Sequence, residues 1–267
     1  MNKTVYVFDV DGVLCDIGAA ALDERVIGQI GRLLEKGVYV AINTGRAYDR
    51  VGAEFVVPLL AMYPSLQLEN LCVMTEMGGE RTTYLGRSPE SQRTRFSLQP
   101  EQLARFHKTY EAHRSELPTM YNYDAKLSMG TTVKYAEADS VDYAAQKSEF
   151  ERLIGEAFEG QDVIITGTTE STDLYAHDAG KNAGAKIIIE WLERAGAIKH
   201  DTAVCFGDSH NDYEMAREFA EAGFATTFVY TGVTSLETDH HTAVNTITPK
   251  QPYTNGTIEF LSSLRIP

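Results

Sequence analysis

The chain has 267 residues, of which 43% are hydrophobic and 23% are charged, and its formal net charge is −14. This length and composition are typical of a folded globular protein, and they exclude a disordered chain and a membrane-spanning protein. The acidity, with no dense run of Lys or Arg, argues against a nucleic-acid partner because phosphodiester backbones would be repelled.

The N-terminal segment and the cysteines indicate a cellular compartment. The first residues lack the uninterrupted apolar run and the cleavage site of a secretory peptide, and no apolar stretch approaches the ~20 residues that span a bilayer. Cys15, Cys72 and Cys205 are far apart and lack the Cys-x-x-Cys spacing of zinc or redox sites. We therefore expect a cytoplasmic protein that contacts no membrane; the sequence predicts no oligomeric state.

The N-terminal part alternates β-branched and aromatic runs with amphipathic segments. The predicted elements are a strand at 4–8, a helix from the N-cap Asp23 to Gly37, a strand at 38–42, a helix over 47–62 and a strand at 71–75. Short connections between alternating strands and helices are typical of βαβ units, so these residues predict a parallel sheet.

The same alternation returns near the C-terminus. Its predicted elements are a helix containing Ile187 and Leu192, a strand at 202–206, a helix from about Asn211, strands at 224–230 and 243–247, and a helix over 255–264. Together the two parts predict an α/β fold, a Rossmann-like parallel-sheet core with helices on both faces.

The segment between these parts has a different pattern. Two amphipathic helices are each followed by strand-like segments, as in two α-β-β units. We predict a small α+β cap domain with an antiparallel sheet over 84–172, inserted into a catalytic core formed by 1–83 and 173–267.

Two carboxylates follow the first predicted strand at alternate positions, Asp9 and Asp11 in Asp-Val-Asp-Gly. Ligands of open parallel sheets bind beyond the carboxyl ends of the strands. Two neighbouring acids repel each other unless a cation or proton intervenes, and Mg²⁺ prefers carboxylate oxygens. Taken alone, this motif fits a turn or a calcium loop equally well.

Two further segments are suited to phosphate. Thr44, Gly45 and Arg46 follow the second predicted strand, where a hydroxyl and free backbone N–H groups can hold phosphate oxygens or cap the next helix. Lys181 begins a predicted helix, an unfavourable position for a cation unless an anion lies nearby. The alternative is a solvated lysine, and Lys186 is a second candidate for the same role.

A third acidic segment, Gly-Asp-Ser-His-Asn-Asp, follows the strand at 202–206 and contains Asp208 and Asp212. In this order the four segments resemble the haloacid dehalogenase superfamily, in particular its Cof-like, sugar-phosphatase branch with the cap after the third strand (subclass IIB). The resemblance implies that Asp9 is the nucleophile and Asp11 the general acid/base. It also implies that Thr44 and Lys181 bind phosphate.

The same resemblance implies a Mg²⁺ site. Its ligands would be Asp9, the backbone carbonyl of Asp11 and Asp208, with Asp212 as a second acidic group near the metal and Asn211 supporting the loop. Gly45 and Arg46 would assist phosphate binding. Two segments depart from the family pattern: residues 75–80 lack an Asn-Gly pair, and residues 224–232 lack the usual Gly- and Ala-rich sequence.

The implied function is a Mg²⁺-dependent phosphatase that hydrolyses a small phosphomonoester, such as a sugar phosphate, through an aspartyl phosphate. The alternatives are a phosphomutase or phosphotransferase of the same superfamily and a catalytically silent ligand-binding relative. A carbon–halogen hydrolase would need neither Asp11 nor a metal. A receiver domain would carry its acceptor Asp on the third strand and need only ~120 residues.

Overall fold

The computed structural model describes residues 3–19, 21–196, 201–236 and 243–264. The chain divides into two compact units. The core unit comprises Met1–Gln92 and Gly180–Pro267, and the insert unit comprises Arg93–Ala179. The predicted fold class is confirmed, because one unit contains a mostly parallel sheet with helices and the other a separate antiparallel sheet.

The described part of the core unit contains one sheet of eight strands. From one edge to the other the strands are β12 (Val244–Ile247), β11 (Ala225–Tyr230), β10 (Thr202–Gly207), β1 (Thr4–Phe8), β2 (Tyr39–Asn43), β3 (Leu71–Thr75), β4 (Glu80–Leu85) and β5 (Ser88–Arg93). Neighbouring strands from β12 to β3 are parallel, and β4 is antiparallel to β3.

The helices of the core unit lie where the amphipathic pattern predicted them. They are α1 (Glu24–Glu35), α2 (Tyr48–Val51), α3 (Val57–Met62), α6 (Lys181–Arg194), α7 (His210–Glu221) and α8 (Tyr253–Ser263). Asp23 caps α1 by accepting a hydrogen bond from the backbone N–H of Arg25 at 2.8 Å. A π-helical turn, Gly52–Val56, joins α2 to α3, so the helix predicted over 47–62 is a run with one irregular turn.

Alternate residues of each central strand face opposite layers of helices. On one face Tyr6, Phe8 and their neighbours pack with the apolar side chains of α1, α3 and α8 in one buried cluster. Helices α6 and α7 contact the sheet and each other. Because both faces of β1 are covered, its residues are nearly all apolar and buried.

The insert unit repeats a helix–strand–strand order twice, as predicted. Its elements are α4 (Pro100–His113), β6 (Met120–Asn122), β7 (Gly130–Lys134), α5 (Ser140–Ala157), β8 (Val163–Thr166) and β9 (Ser171–Ala176). The strands form an antiparallel sheet in the order β6-β7-β9-β8. Phe106, Tyr110 and Phe150 are the aromatic centre of its own core.

The borders of the insert unit differ from the predicted range 84–172. Strands β4 and β5 continue the core sheet by hydrogen bonding, and the core unit accordingly extends to Gln92. At the other border, β9 pairs with β7 and β8, which carries the insert unit to Ala179. Among the described residues, every helix is too short or too polar to cross a lipid bilayer.

Candidate active site

Three carboxylates converge at the carboxyl edge of the core sheet. Asp9 follows β1, Asp208 follows β10, and Asp212 lies in the first turn of α7. The register pairs Phe8 with Phe206, so the two strands end side by side. One carboxylate oxygen from each acid lies within 4.8 Å of the other two. Such a group of hard oxygen ligands is suited to a divalent cation.

The Lys181 ammonium lies within this acidic cluster. It forms a buried ion pair with Asp9 Oδ1, and its Nζ is 3.0 Å from Asp212 Oδ1. Nζ also donates a hydrogen bond of 2.7 Å to the backbone oxygen of Asn43 at the end of β2. The side chains of Lys181 and Asp9 are only 8% and 10% exposed, so each charge depends on the other for compensation. Lys186, in contrast, is half exposed and pairs with Glu218 at 3.3 Å.

The loop between β10 and α7 holds Asp212 in one orientation. Asp212 Oδ2 accepts hydrogen bonds from the backbone N–H groups of Asp208 and Ser209, both at 3.2 Å, and from the Ser209 hydroxyl at 2.6 Å. Ser209 caps α7, and Asp212 at the third position completes a capping box. The remaining oxygen, Oδ1, is thereby directed to Lys181.

Two glycines allow the acidic segments to approach each other. Gly12 has φ +73°, and a Cβ on it would lie 2.6 Å from the Asp208 carboxyl group. A Cβ on Gly207 would lie 2.0 Å from Asp212 Cβ. A larger residue at position 12 would push the loop after β1 away from Asp208, and one at position 207 would push the first turn of α7 away from the end of β10.

The segment after β2 lies at the same edge of the sheet. Thr44 is 1% exposed, and its Oγ1 accepts a hydrogen bond of 3.2 Å from the backbone N–H of Arg46. A left-handed turn after β3 braces this segment: Met77 N–H donates to the Thr44 carbonyl at 3.3 Å. The Met77 carbonyl accepts a 2.7 Å hydrogen bond from Gly180 N–H, so one turn supports both Thr44 and the start of α6.

The guanidinium of Arg46 is bound to two carboxylates. It donates two hydrogen bonds to Asp11, at 2.6 and 3.1 Å, and a further one to Glu54 in the π-helical turn. Arg46 is therefore engaged with Asp11, whose side chain is half exposed while that of Arg46 is buried. The predicted phosphate contact of Arg46 stays a prediction.

The environments of the acids set different pKa values. Burial raises the pKa of Asp9 to about 7 and that of Asp208 to about 6, and the charge of Asp212 adds to both shifts. Burial also raises the pKa of Asp11, but its hydrogen bonds and ion pair with Arg46 outweigh this and lower the pKa below its ordinary value. The charges of Asp212 and Asp9 outweigh burial at Lys181 and raise its pKa.

The structure brings together most of the residues that the sequence predicted. Asp9, Lys181, Asp208 and Asp212 lie in one cluster, and Asp11, Thr44, Gly45 and Arg46 lie on the adjoining loops. Asn211 is exposed on the first turn of α7. Sequence reasoning missed Asn43 and Glu54. The sequence contains one indication for each residue. Asn43 is a polar residue at the end of an apolar strand, and Glu54 lies four residues after Arg50, with which it pairs.

No family model and no curated protein matches the chain. It is similar in structure to a haloacid dehalogenase-like hydrolase from Bacteroides thetaiotaomicron, with TM-score 0.66 and 14% identity over 97% of this chain and 98% of that one. It is also similar to trehalose-6-phosphate phosphatase from Aspergillus fumigatus, with TM-score 0.55 and 18% identity over 98% and 92%.

A third similar structure is ATP-bound IMP-nucleotidase from Plasmodium falciparum, with TM-score 0.61 and 14% identity over 99% of this chain and 62% of that one. These identities are low, while the coverage of this chain is nearly complete. The comparisons therefore show that the chain has the fold of haloacid dehalogenase-like hydrolases.

Proposed function

We propose that the chain is a haloacid dehalogenase-type phosphatase that hydrolyses a small phosphomonoester through an aspartyl phosphate on Asp9. The observation that supports this most is the buried contact of Asp9 with Lys181 beside Asp208 and Asp212. A carboxylate that is held next to an ammonium and two further acids can serve as a nucleophile once a bound cation offsets the negative charges of the acids and of the phosphate.

The residues at the site fit Mg²⁺. Asp9 and Asp208 would supply carboxylate oxygens, the backbone carbonyl of Asp11 a third ligand, and Asp212 would lie beside them with one oxygen already bound by Ser209. When bound, the ion would neutralise the acids and polarise a phosphoryl oxygen. The glycine at position 12 provides the space that brings Asp208 to this loop.

The side chains then divide the reaction into two steps. In the first, an Asp9 oxygen forms a bond to phosphorus, the bond to the leaving oxygen breaks, and Asp11 in its protonated form gives that oxygen its proton. Against the effect of burial, Arg46 lowers the pKa of Asp11, so the protonated acid is the minor form while their contact is intact. In the second, water attacks phosphorus, the Asp11 carboxylate takes its proton, and inorganic phosphate leaves Asp9. Lys181 and the Thr44 hydroxyl hold the phosphoryl oxygens during both steps.

The similar structures support a small phosphomonoester as the substrate. Among the similar structures, one enzyme is named for trehalose 6-phosphate and another for IMP, both of which are small phosphomonoesters. We assign the insert unit the role of selecting the leaving group, since the roles proposed for the core residues concern only the phosphoryl group, the metal and the transferred proton. The same active site could return the phosphoryl group to a second hydroxyl, and release of free phosphate separates hydrolysis from a mutase reaction.

The test is a phosphate-release assay of the full chain on a panel of sugar phosphates and nucleoside monophosphates with Mg²⁺. We expect turnover of at least one compound, loss of activity in excess chelator, and a drop of at least about a thousandfold in Asp9→Asn. The matched control is Asp162→Asn, because Asp162 is an 85% exposed acid in the insert unit. Equal activity of Asp9→Asn and Asp162→Asn would refute the proposal.

A further inference from the structure

The side chain of Asn43 lies between the segments that carry the proposed phosphate-binding and acidic residues. Asn43 is the last residue of β2, directly before Thr44, and it is fully buried. Its Nδ2 donates a 2.8 Å hydrogen bond to the backbone carbonyl of Lys181 at the start of α6. Nδ2 also lies 3.3 Å from the sulfur of Met215 in α7, the helix that carries Asp212.

Asn43 and Lys181 bind each other in both directions. The Lys181 ammonium donates to the backbone carbonyl of Asn43 at 2.7 Å, and the Asn43 amide donates to the backbone carbonyl of Lys181. The ammonium also donates a hydrogen bond to Asp9 and forms an ion pair with Asp212 at 3.0 Å. The backbone and the head group of Lys181 are therefore fixed by the same neighbour.

The Asn43 side chain is costly for stability. Its Oδ1 is buried and has no hydrogen-bond partner among the described residues. The amide cannot simply turn over, because Oδ1 would then face the Lys181 carbonyl and two acceptors would repel. Helix α6 has a glycine at the point of contact: a Cβ on Gly184 would lie 2.1 Å from Oδ1. A buried apolar side chain of similar size would avoid the unpaired oxygen.

We propose that Asn43 is a positioning residue that holds Lys181 toward Asp9. This inference rests on the proposed function, in which Lys181 stabilises the phosphoryl group. Asn43 touches no reacting atom in this scheme; it acts through the first turn of α6. A residue retained only for packing would serve the fold equally well as leucine, whereas the hydrogen bond to the Lys181 carbonyl requires an N–H donor.

The decisive variant is Asn43→Leu, which keeps the number and branching of the side-chain heavy atoms and removes the donor. We expect its thermal midpoint to lie within about 3 °C of the wild type or above it, since the unpaired oxygen is also removed. We expect kcat to fall roughly 10- to 100-fold, and by more than KM rises, because a small displacement of Lys181 weakens charge stabilisation at the reacting centre. Asn43→Ala should show the same kinetic loss. Met215→Leu, which removes the sulfur and keeps the side chain apolar, should stay within about threefold of wild type.

A measurement on Lys181 that needs no substrate separates the test of Asn43 from the test of the proposed phosphatase function. In ¹⁵N NMR of the full chain, a buried Lys181 ammonium that is held by Asp9, Asp212 and the Asn43 carbonyl should give a slowly exchanging signal, assigned by its absence in Lys181→Arg. We expect this signal to broaden or disappear in folded Asn43→Leu. An unchanged signal would overturn the positioning role. If the wild type releases no phosphate from any substrate, the proposed function fails while the NMR comparison still decides whether Asn43 orients Lys181.

Discussion

The Arg46 guanidinium donates two hydrogen bonds to Asp11, and its third nitrogen donates one to Glu54. We expect Arg46→Lys to lower kcat about tenfold, because an ammonium keeps the charge but cannot make the paired hydrogen bonds that orient the proposed acid/base. Glu54→Gln should give a smaller loss, since the contact with Asp11 remains. Steady-state kinetics on the best substrate of the panel measure both effects.

The control for this pair is Arg25→Lys. Arg25 makes a similar contact with Asp23, but on an exposed helix start in which the Arg25 side chain is 63% exposed. This substitution should leave kcat unchanged. If Arg46→Lys behaves like Arg25→Lys, the contact between Arg46 and Asp11 has no part in turnover.

The motif residues could be predicted from the sequence because each follows an apolar run at a recognisable boundary. Asp9 and Asp208 each directly follow a strand, and Lys181 begins a helix, so the parallel topology brings them to one edge of the sheet. Asn43 and Glu54 could not be assigned in this way. Their roles depend on contacts with residues that are distant in sequence or lie across an irregular helical turn, and no local pattern records such a contact.

At the scale of elements, replacement by alanine should have opposite effects on stability at two glycines inside helices. Gly155 in α5 has no atom within 4 Å of an added Cβ, whereas Gly184 in α6 faces Asn43. We expect Gly155→Ala to stabilise the protein by about 0.5–1 kcal/mol through helix propensity. Gly184→Ala should destabilise it by about 1–3 kcal/mol because the new methyl group overpacks the site.

Urea denaturation of both variants measures this difference. The slope with denaturant should stay near the wild-type value, so that the midpoints report stability alone. Gly184→Ala should also reduce turnover, since Asn43 must move, while Gly155→Ala should leave it unchanged. A stabilising Gly184→Ala would mean that α6 does not pack against Asn43 as described.

Most elements of the core were predicted because their apolar periodicity is local. The strand at 4–8 was placed to the residue, and β10, β11 and β12 within one or two residues. The hairpin of β4 and β5 was missed. Strand β5 is exposed along its whole length and consists of polar residues and a proline, so its sequence lacks the alternation that marks a half-buried strand.

At the scale of the whole molecule, the division into two units could be predicted from a change of pattern, but its borders could not. Helices α4 and α5 have their own apolar core, which the amphipathic periodicity indicates. The borders depend on whether β4, β5 and β9 pair with the core sheet or with the sheet of the insert unit. This pairing is formed by hydrogen bonds between residues that are distant in sequence. A local pattern therefore identifies a second unit without fixing where it begins.

The acidic cluster also affects the stability of the whole chain. Burial raises the pKa of Asp9 to about 7 and that of Asp208 to about 6. A carboxyl group with a raised pKa binds its proton more tightly in the folded protein. Its contribution to stability is therefore complete below the ordinary value of 3.8 and is lost as pH rises through about 6 to 7. The metal-free protein should therefore lose this contribution between about pH 4 and pH 7.

Bound Mg²⁺ should reverse that loss, because it neutralises the same carboxylates and competes with their protons. We expect the rise in thermal midpoint on adding Mg²⁺ to be larger at pH 8 than at pH 5 by several degrees. Asp208→Asn should lose most of this rise, while Asp162→Asn, which removes the same charge from an exposed position, should keep it. Because both variants change the net charge equally, general screening by Mg²⁺ would affect them alike. An equal rise in the two variants would therefore locate the ion away from Asp208.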